Sequence, residues 1–318
     1  MRIFRQYESL PEDVRGAVIA IGNFDGVNPG HQVVINEAGL IAHDLGRPWA
    51  VLTFEPHPRR LFAPDQPPFR LTPFRAKAKL IENLGVDMLI VQRFNKAFSQ
   101  LEAKDFVTNA LVKGFGASHV VSGYDFVFGH NRSGHCDLLL AMGAEHGFGF
   151  TAVNAIEDDT GEAYSSTRVR DKLLASDPRG AAAGLGRDFE IEGRVIAGES
   201  RGHGIGFPTA NLTLGSYLRP VNGVYAVRAS LESGTDVPWL DGVANIGVRP
   251  TFGGENVVLE VYVFDFDDDL YGRRLRVRLI DFLRPEKKFD GIDDLKAQIA
   301  LDVSKAKEIL TKGEKKDP

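Results

Sequence analysis

Three stretches of the sequence combine residue types that can do chemistry. The first reads Gly22-Asn23-Phe24-Asp25-Gly26-Val27-Asn28-Pro29-Gly30-His31. Glycines at 22, 26 and 30 let the backbone approach a ligand closely. A helix starting here offers free N–H groups and the positive end of its dipole to a phosphate. His31, in its first turn, can donate to a phosphate and stabilise developing charge. The same residues also spell an ordinary strand-to-helix turn, with Asn28 as N-cap and Pro29 as the first helical residue, and local chemistry does not choose between the two. The second stretch, residues 192–212, holds glycines at 193, 198, 202, 204 and 206 ahead of Phe207-Pro208-Thr209-Ala210-Asn211. Hard cations take oxygen ligands, and Thr209 and Asn211 present a hydroxyl and an amide carbonyl on one side of an extended segment. Without further context, an ordinary surface loop with turn-forming Thr and Asn is the simpler reading. The third feature is Glu260, a single carboxylate within the apolar run 257–264. Burying it is costly unless it has a partner or a task; a solvent-facing edge position is the alternative.

The elements that must position these residues change character along the chain. Residues 17–21 and 49–54 read as buried strands, with a helix between them ending near Gly46. Thr72 and Pro73 read as N-cap and first residue of a helix that Gly85 stops. Residues 86–91 and 119–122 are further apolar strands, with a helix over 101–112. Strands without polar alternation, separated by helices, predict a parallel sheet covered on both faces. After a helix over 166–174 and the small-residue run 180–186, the texture becomes β-rich, at 189–196, 224–231, 257–264 and 275–280. This predicts a small antiparallel barrel or sandwich, closed by an amphipathic helix over 292–310. A first domain over 1–186 and a second over 187–318 follow.

Composition narrows the function. The 318 residues are 43% hydrophobic and 25% charged, with a net charge of -5. That balance disfavours nucleic-acid binding, which needs clustered Lys and Arg. Cys136 is the sole cysteine, so no intrachain disulfide forms. No apolar run approaches the ~18 residues of a membrane span, and residues 1–10 lack the apolar core of a signal peptide; the expected location is the cytoplasm. His130, His135, Cys136 and Asp137 lack paired zinc-ligand spacing. The acidic run 265–269 and the lysines at 305, 307, 312, 315 and 316 read as solvated turn, helix face and tail.

The order of residues in the glycine turn resembles the G-x-F-D-G-x-H-x-G-H signature of nucleotidylyltransferases, in the form found in bacterial FAD synthetases. Phe54-Glu55-Pro56-His57-Pro58, residues 123–129 (GYDFVFG) and residues 165–170 (SSTRVR) match that family in order. The resemblance implies a Rossmann-like α/β domain in which the FMN phosphate attacks the α-phosphorus of ATP and pyrophosphate leaves. Such a step is mostly alignment and charge stabilisation. His31 and Arg170 would be catalytic. Gly22, Phe24, Asp25, Gly26, Asn28, Asp125, Ser166 and Thr167 would contact the nucleotide, and Phe54, Pro56, His57 and Phe62 the flavin. Two positions depart from the pattern. Asn28 stands where the family has histidine and cannot carry positive charge; a lost charge-assisted contact is worth ~1.5–3 kcal/mol, about one to two decades in rate. Val127 stands where a polar or basic residue is frequent.

The second half is similar to riboflavin kinases, through residues 201–212 (RGHGIGFPTANL), 220–225, 244–251 and 259–272. The resemblance implies a six-stranded barrel in which Thr209 and Asn211 help hold Mg2+ with ATP. Gly198 would lie at the nucleotide, and Glu260 would be the base that takes the ribityl 5′-hydroxyl proton. Tyr262 replaces a frequent histidine. Together the two halves have the order of bifunctional riboflavin kinase/FMN adenylyltransferases, with riboflavin, FMN, FAD and ATP as small-molecule partners. One alternative is a kinase whose adenylyltransferase half is weak or inactive because of Asn28. Another is a flavin or nucleotide sensor without turnover, against which Glu260 argues, since a sensor needs no base.

Overall fold

The computed structural model describes residues 1–8, 10–196, 207–231, 238–251 and 254–313. It divides into two compact units, one of Met1–Pro67 and Thr72–Ser165, the other of Pro68–Leu71 and Ser166–Pro318.

The first unit is built on a six-stranded, wholly parallel sheet. Its strands are β1 (Arg2–Arg5), β2 (Val18–Ile21), β3 (Trp49–Glu55), β4 (Met88–Arg93), β5 (His119–Gly123) and β6 (Gly149–Val153), in the order β1-β4-β3-β2-β5-β6. Alternate residues of the central strands feed two cores. Val18, Ala20, Val51 and Leu89 pack on one face with Val34, Ile35 and Ala38 of α1 (Pro29–Leu45). Ile19, Ile21, Leu52 and Ile90 pack on the other with Phe106, Leu111 and Leu139. Burial on both faces explains why these strands read as unbroken apolar runs. Sequence order runs outward from β2 to β3 and β4, then jumps to β5 and β6 on its other side. The crevice between the carboxyl ends of β2 and β5 is therefore the switch point where open α/β sheets bind ligands.

The remaining helices of this unit are α2 (Pro58–Phe62), α3 (Phe74–Glu82), α4 (Lys96–Ser99), α5 (Ala103–Phe106, continued by a π-helical segment Val107–Gly114) and α6 (Cys136–His146). One cap differs from the sequence reading. Pro73, not Thr72, is the N-cap of α3. The Thr72 hydroxyl instead accepts from the Gly26 N–H (2.8 Å), and its N–H donates to the Asp25 carboxylate (3.0 Å). A long-range tie to the glycine turn has replaced the local cap.

The second unit begins with α7 (Ser166–Leu174) and α8 (Pro178–Leu185), then six antiparallel strands: β7 (Phe189–Arg194), β8 (Ala210–Thr213), β9 (Gly223–Leu231), β10 (Leu240–Thr251), β11 (Gly254–Val263) and β12 (Arg274–Arg284). Their order is β7-β12-β9-β10-β11-β8. A bridge between Ile196 and Asn211 brings the two outer strands together, so the sheet is a nearly closed barrel. Leu275, Val277 and Leu279 of β12 point into the core. Between them, the Arg276 guanidinium makes two bonds to Glu190 (2.7 and 2.9 Å) and Arg274 one to Glu192 (2.9 Å), the period-2 pattern of a sheet with one apolar face. The closing helix α9 (Ile292–Gly313) packs Ala306 and Leu310 on Val224, Ala226, Val243 and Phe264.

Candidate active sites

The glycine turn lies at the carboxyl end of β2, at the switch point. Asn28 is the N-cap of α1: its Oδ1 accepts from the His31 N–H (2.9 Å), and His31 Nδ1 accepts from the Asn28 N–H (3.4 Å). This reciprocal pair is a capping box. In the neutral ring it leaves Nε2 as the protonated nitrogen of His31. The Phe24 ring stands edge-on to the His31 ring at 5.6 Å. Phe24 itself fills the space that a Cβ on Gly22 would need, 2.8 Å from its ring, so Gly22 is required by packing within the turn. Asp25 is buried against Thr72. Asp125 is exposed in the turn after β5, on the other side of the crevice.

Asn28 is 1% exposed, with its oxygen committed to the cap. A histidine there retains an acceptor nitrogen for the His31 N–H and extends a second nitrogen further than an amide reaches. The Asn28→His variant is expected to raise FAD formation about tenfold, the lower end of a charge-assisted contact, and to leave FMN formation unchanged. Separate steady-state assays of the two steps check this.

Beside the turn lies a cavity of about 360 Å3, within the range of small-molecule sites. Its wall includes Asn23 of the glycine turn. The rest is largely phenylalanine. Phe54 and Phe62 each meet Phe94 (6.1 and 6.0 Å between ring centres), and Phe94 meets Phe98 (5.7 Å). Phe98 leads to Phe106 (6.0 Å), Phe106 to Phe128 (5.5 Å), and Phe126 stacks on Phe128. Arg59 and Arg132 supply the cations of the lining. Arg132 is held there by a loop of left-handed residues, Gly129, Asn131 and Arg132 (φ 73°, 53° and 58°). A Cβ on Gly129 would sit 2.6 Å from Ala103 Cα. Of the four residues expected at the flavin, Phe54 and Phe62 line this cavity. Pro56 is exposed, and His57 caps α2 through its ring. Sequence reading gave no role to the other five phenylalanines or to either arginine, although Phe126 and Phe128 stand in the matched stretch 123–129. The signal for them is compositional: the chain has 21 Phe against 7 Tyr and 2 Trp.

Ser166, Thr167 and Arg170 fall on α7 in the second unit. The Arg170 Nε donates to the Phe69 carbonyl (2.9 Å), and its guanidinium lies 5.7 Å from the centre of the Phe69 ring.

On the barrel, register brings the second set together. Glu260 is paired across the sheet with Asn211 of β8 on one side and Asn245 of β10 on the other. Register partners share a face and stand about 4.5–5.5 Å apart at Cβ. Glu260 is thus half-buried on an interior strand, which removes the edge-strand alternative. Asn211 is 5% exposed, and its Oδ1 is buried with no hydrogen-bond partner among the described residues. Its Nδ2 donates to the Thr209 carbonyl (3.4 Å). A buried carbonyl oxygen without a donor, beside a carboxylate, is the donor chemistry a hard cation selects. Asn245 Nδ2 donates to Glu286 Oε1 (3.3 Å), extending the polar row. Tyr262 packs edge-on against Phe207 (5.4 Å) and near Phe264 (5.7 Å). Gly198 lies outside the described residues.

Two centres of this kind on one chain define a transferase that handles a nucleotide twice. Residues 10–168 match the FAD synthetase family model, and residues 185–310 match that of riboflavin kinase. The chain is 40% identical over 311 residues to the bifunctional riboflavin kinase/FMN adenylyltransferase of Escherichia coli strain K12, with 98% of each chain covered. It is 41% identical over 308 residues to the protein of that name from Pseudomonas fluorescens (96% and 97% covered) and 36% identical over 311 residues to that from Bacillus subtilis (96% of each). A crystal structure described as a macrolide-efflux protein from Streptococcus pneumoniae superposes with a TM-score of 0.83 at 28% identity, over 96% of this chain and 99% of that one. No helix among the described residues is long and apolar enough to cross a membrane. The chain belongs to the family of bifunctional riboflavin kinase/FMN adenylyltransferases. The alternative of a kinase with an inactive first half is not supported: the match extends over both halves and the relatives carry both activities in their name.

Proposed function

We propose that the chain makes FMN and then FAD at two separate sites, with residues 187–318 forming the kinase and residues 1–186 the adenylyltransferase. In the kinase step riboflavin binds so that its ribityl 5′-hydroxyl meets Glu260. The carboxylate takes the hydroxyl proton as the oxygen attacks the γ-phosphorus of ATP, and ADP leaves. Thr209 and Asn211 would hold Mg2+ on the ATP phosphates, where the ion neutralises charge on the transferred group. The observation that carries this half is the unpartnered Asn211 oxygen in register with Glu260.

In the second step the aromatic cavity would hold the flavin ring between phenylalanine faces, with Arg59 and Arg132 of its lining pairing with the phosphate of FMN. The glycine turn and the amino end of α1 would receive the phosphates of ATP, with His31 stabilising charge as the FMN phosphate attacks the α-phosphorus; for Ser166, Thr167 and Arg170 the nucleotide and catalytic roles are those the family resemblance implies. The observation that carries this half is Asn23, shared by the cavity wall and the turn. A cytoplasmic location fits both substrates.

The test is chromatographic. The protein is incubated with riboflavin, ATP and magnesium, and the flavins are followed in time. FMN appears first and FAD after it, and a chelator stops both. FMN without FAD would remove the adenylyltransferase assignment, and neither product would leave the binding-only sensor.

A further inference from the structure

One buried charge stands where the two substrate segments of the first unit meet. Lys77 of α3 is 0% exposed, yet its neighbours Arg75 and Lys79 are exposed and half-buried respectively. Its ammonium donates to the Asn23 carbonyl (3.1 Å) and the Thr53 hydroxyl (2.9 Å), and it pairs with Glu55 Oε1 at 2.9 Å. The Thr53 hydroxyl donates to the same Asn23 carbonyl (3.2 Å). Asn23 belongs to the glycine turn and to the cavity wall. Glu55 ends β3, its carbonyl accepts from the Phe94 N–H (2.9 Å), and the chain beyond it enters α2 with Arg59 and Phe62. One ammonium therefore ties the turn assigned to ATP to the segment assigned to FMN.

Packing alone gives no reason for a charge here. An apolar side chain of the same length fills the volume without losing the hydration of an ammonium, and replacing a buried ion pair by apolar groups is often neutral or stabilising. We propose that Lys77 is a positioning residue for adenylyl transfer. It touches neither substrate; it fixes the Asn23 carbonyl against Glu55 and so sets where the FMN phosphate stands relative to the α-phosphorus. This rests on the assignment of FAD synthesis to the first unit. In-line attack tolerates little displacement, and a shift of ~1 Å lowers rate on the order of 10²-fold.

The full chain carries the test, as Lys77→Met and as the double variant Lys77→Met with Glu55→Gln, which leaves no charge of the pair behind. In the double variant kcat for FAD from supplied FMN is expected to fall on the order of 10- to 100-fold. The KM values for FMN and ATP move less, and FMN formation from riboflavin and the unfolding midpoint stay at wild-type values. If the single variant fails to fold, the double variant decides by the same readings. Wild-type kcat in a folded double variant overturns the proposal, as does a loss of FAD synthesis that matches the loss of folded protein. A wild-type protein that makes FMN and no FAD overturns the underlying assignment instead, and that arm is read first.

Discussion

Glu260→Gln is expected to lower FMN formation by about 10²–10⁴-fold, the range a positioned general base contributes. FAD formation from supplied FMN stays at the wild-type rate, because Glu260 lies in the second unit and the glycine turn and cavity in the first. The amide keeps the shape of the side chain and its place opposite Asn211 and Asn245, so the loss reports the proton acceptor and not the fold. Steady-state rates for the two steps, measured separately on one preparation, decide it. Retention of full kinase rate would remove Glu260 from the mechanism.

His31→Ala is expected to do the converse, lowering FAD formation by about one to two decades with FMN formation intact. The capping box and the Phe24 edge fix the orientation of the ring and direct its Nε2 away from the cap. A hydrogen bond to a charged group in a site poor in water is worth ~1.5–3 kcal/mol, which sets that range. The Asn28 oxygen still accepts from the backbone N–H of residue 31, so the helix start persists. Equal losses in both activities would point to general destabilisation.

Some of this was legible in the sequence, for physical reasons. β2, β3, β4 and β5 are buried on both faces, and continuous apolar runs give them away. β1 is four residues with two arginines at the sheet edge, and β6 is the opposite edge with no fully buried residue; neither carries the signal. β8 and β10 were hidden by Asn, Gly and Pro, residues depleted in strands. The strong local motifs marked His31, Asn211 and Glu260, yet sequence could not say that Asn211 and Glu260 face each other, because register is a property of pairing. The aromatic cavity is assembled from phenylalanines spread over residues 54–128, with no local period to find. Lys77, between Ala76 and Ala78 on a helix rich in lysine and arginine, has the spelling of a solvated face and the burial of a core residue.

Asn211 has two jobs at one residue. Its backbone carbonyl accepts from the Ile196 N–H (2.9 Å) at the bridge that brings the first and last strands of the barrel together, and its side chain holds the unpartnered oxygen. On the proposed assignment, a cation held by the Asn211 side chain would also favour the closed barrel, and its stabilisation would grow with the logarithm of the cation concentration above the dissociation constant. Loading of the proposed kinase site would then be read as a rise in the unfolding midpoint of the barrel.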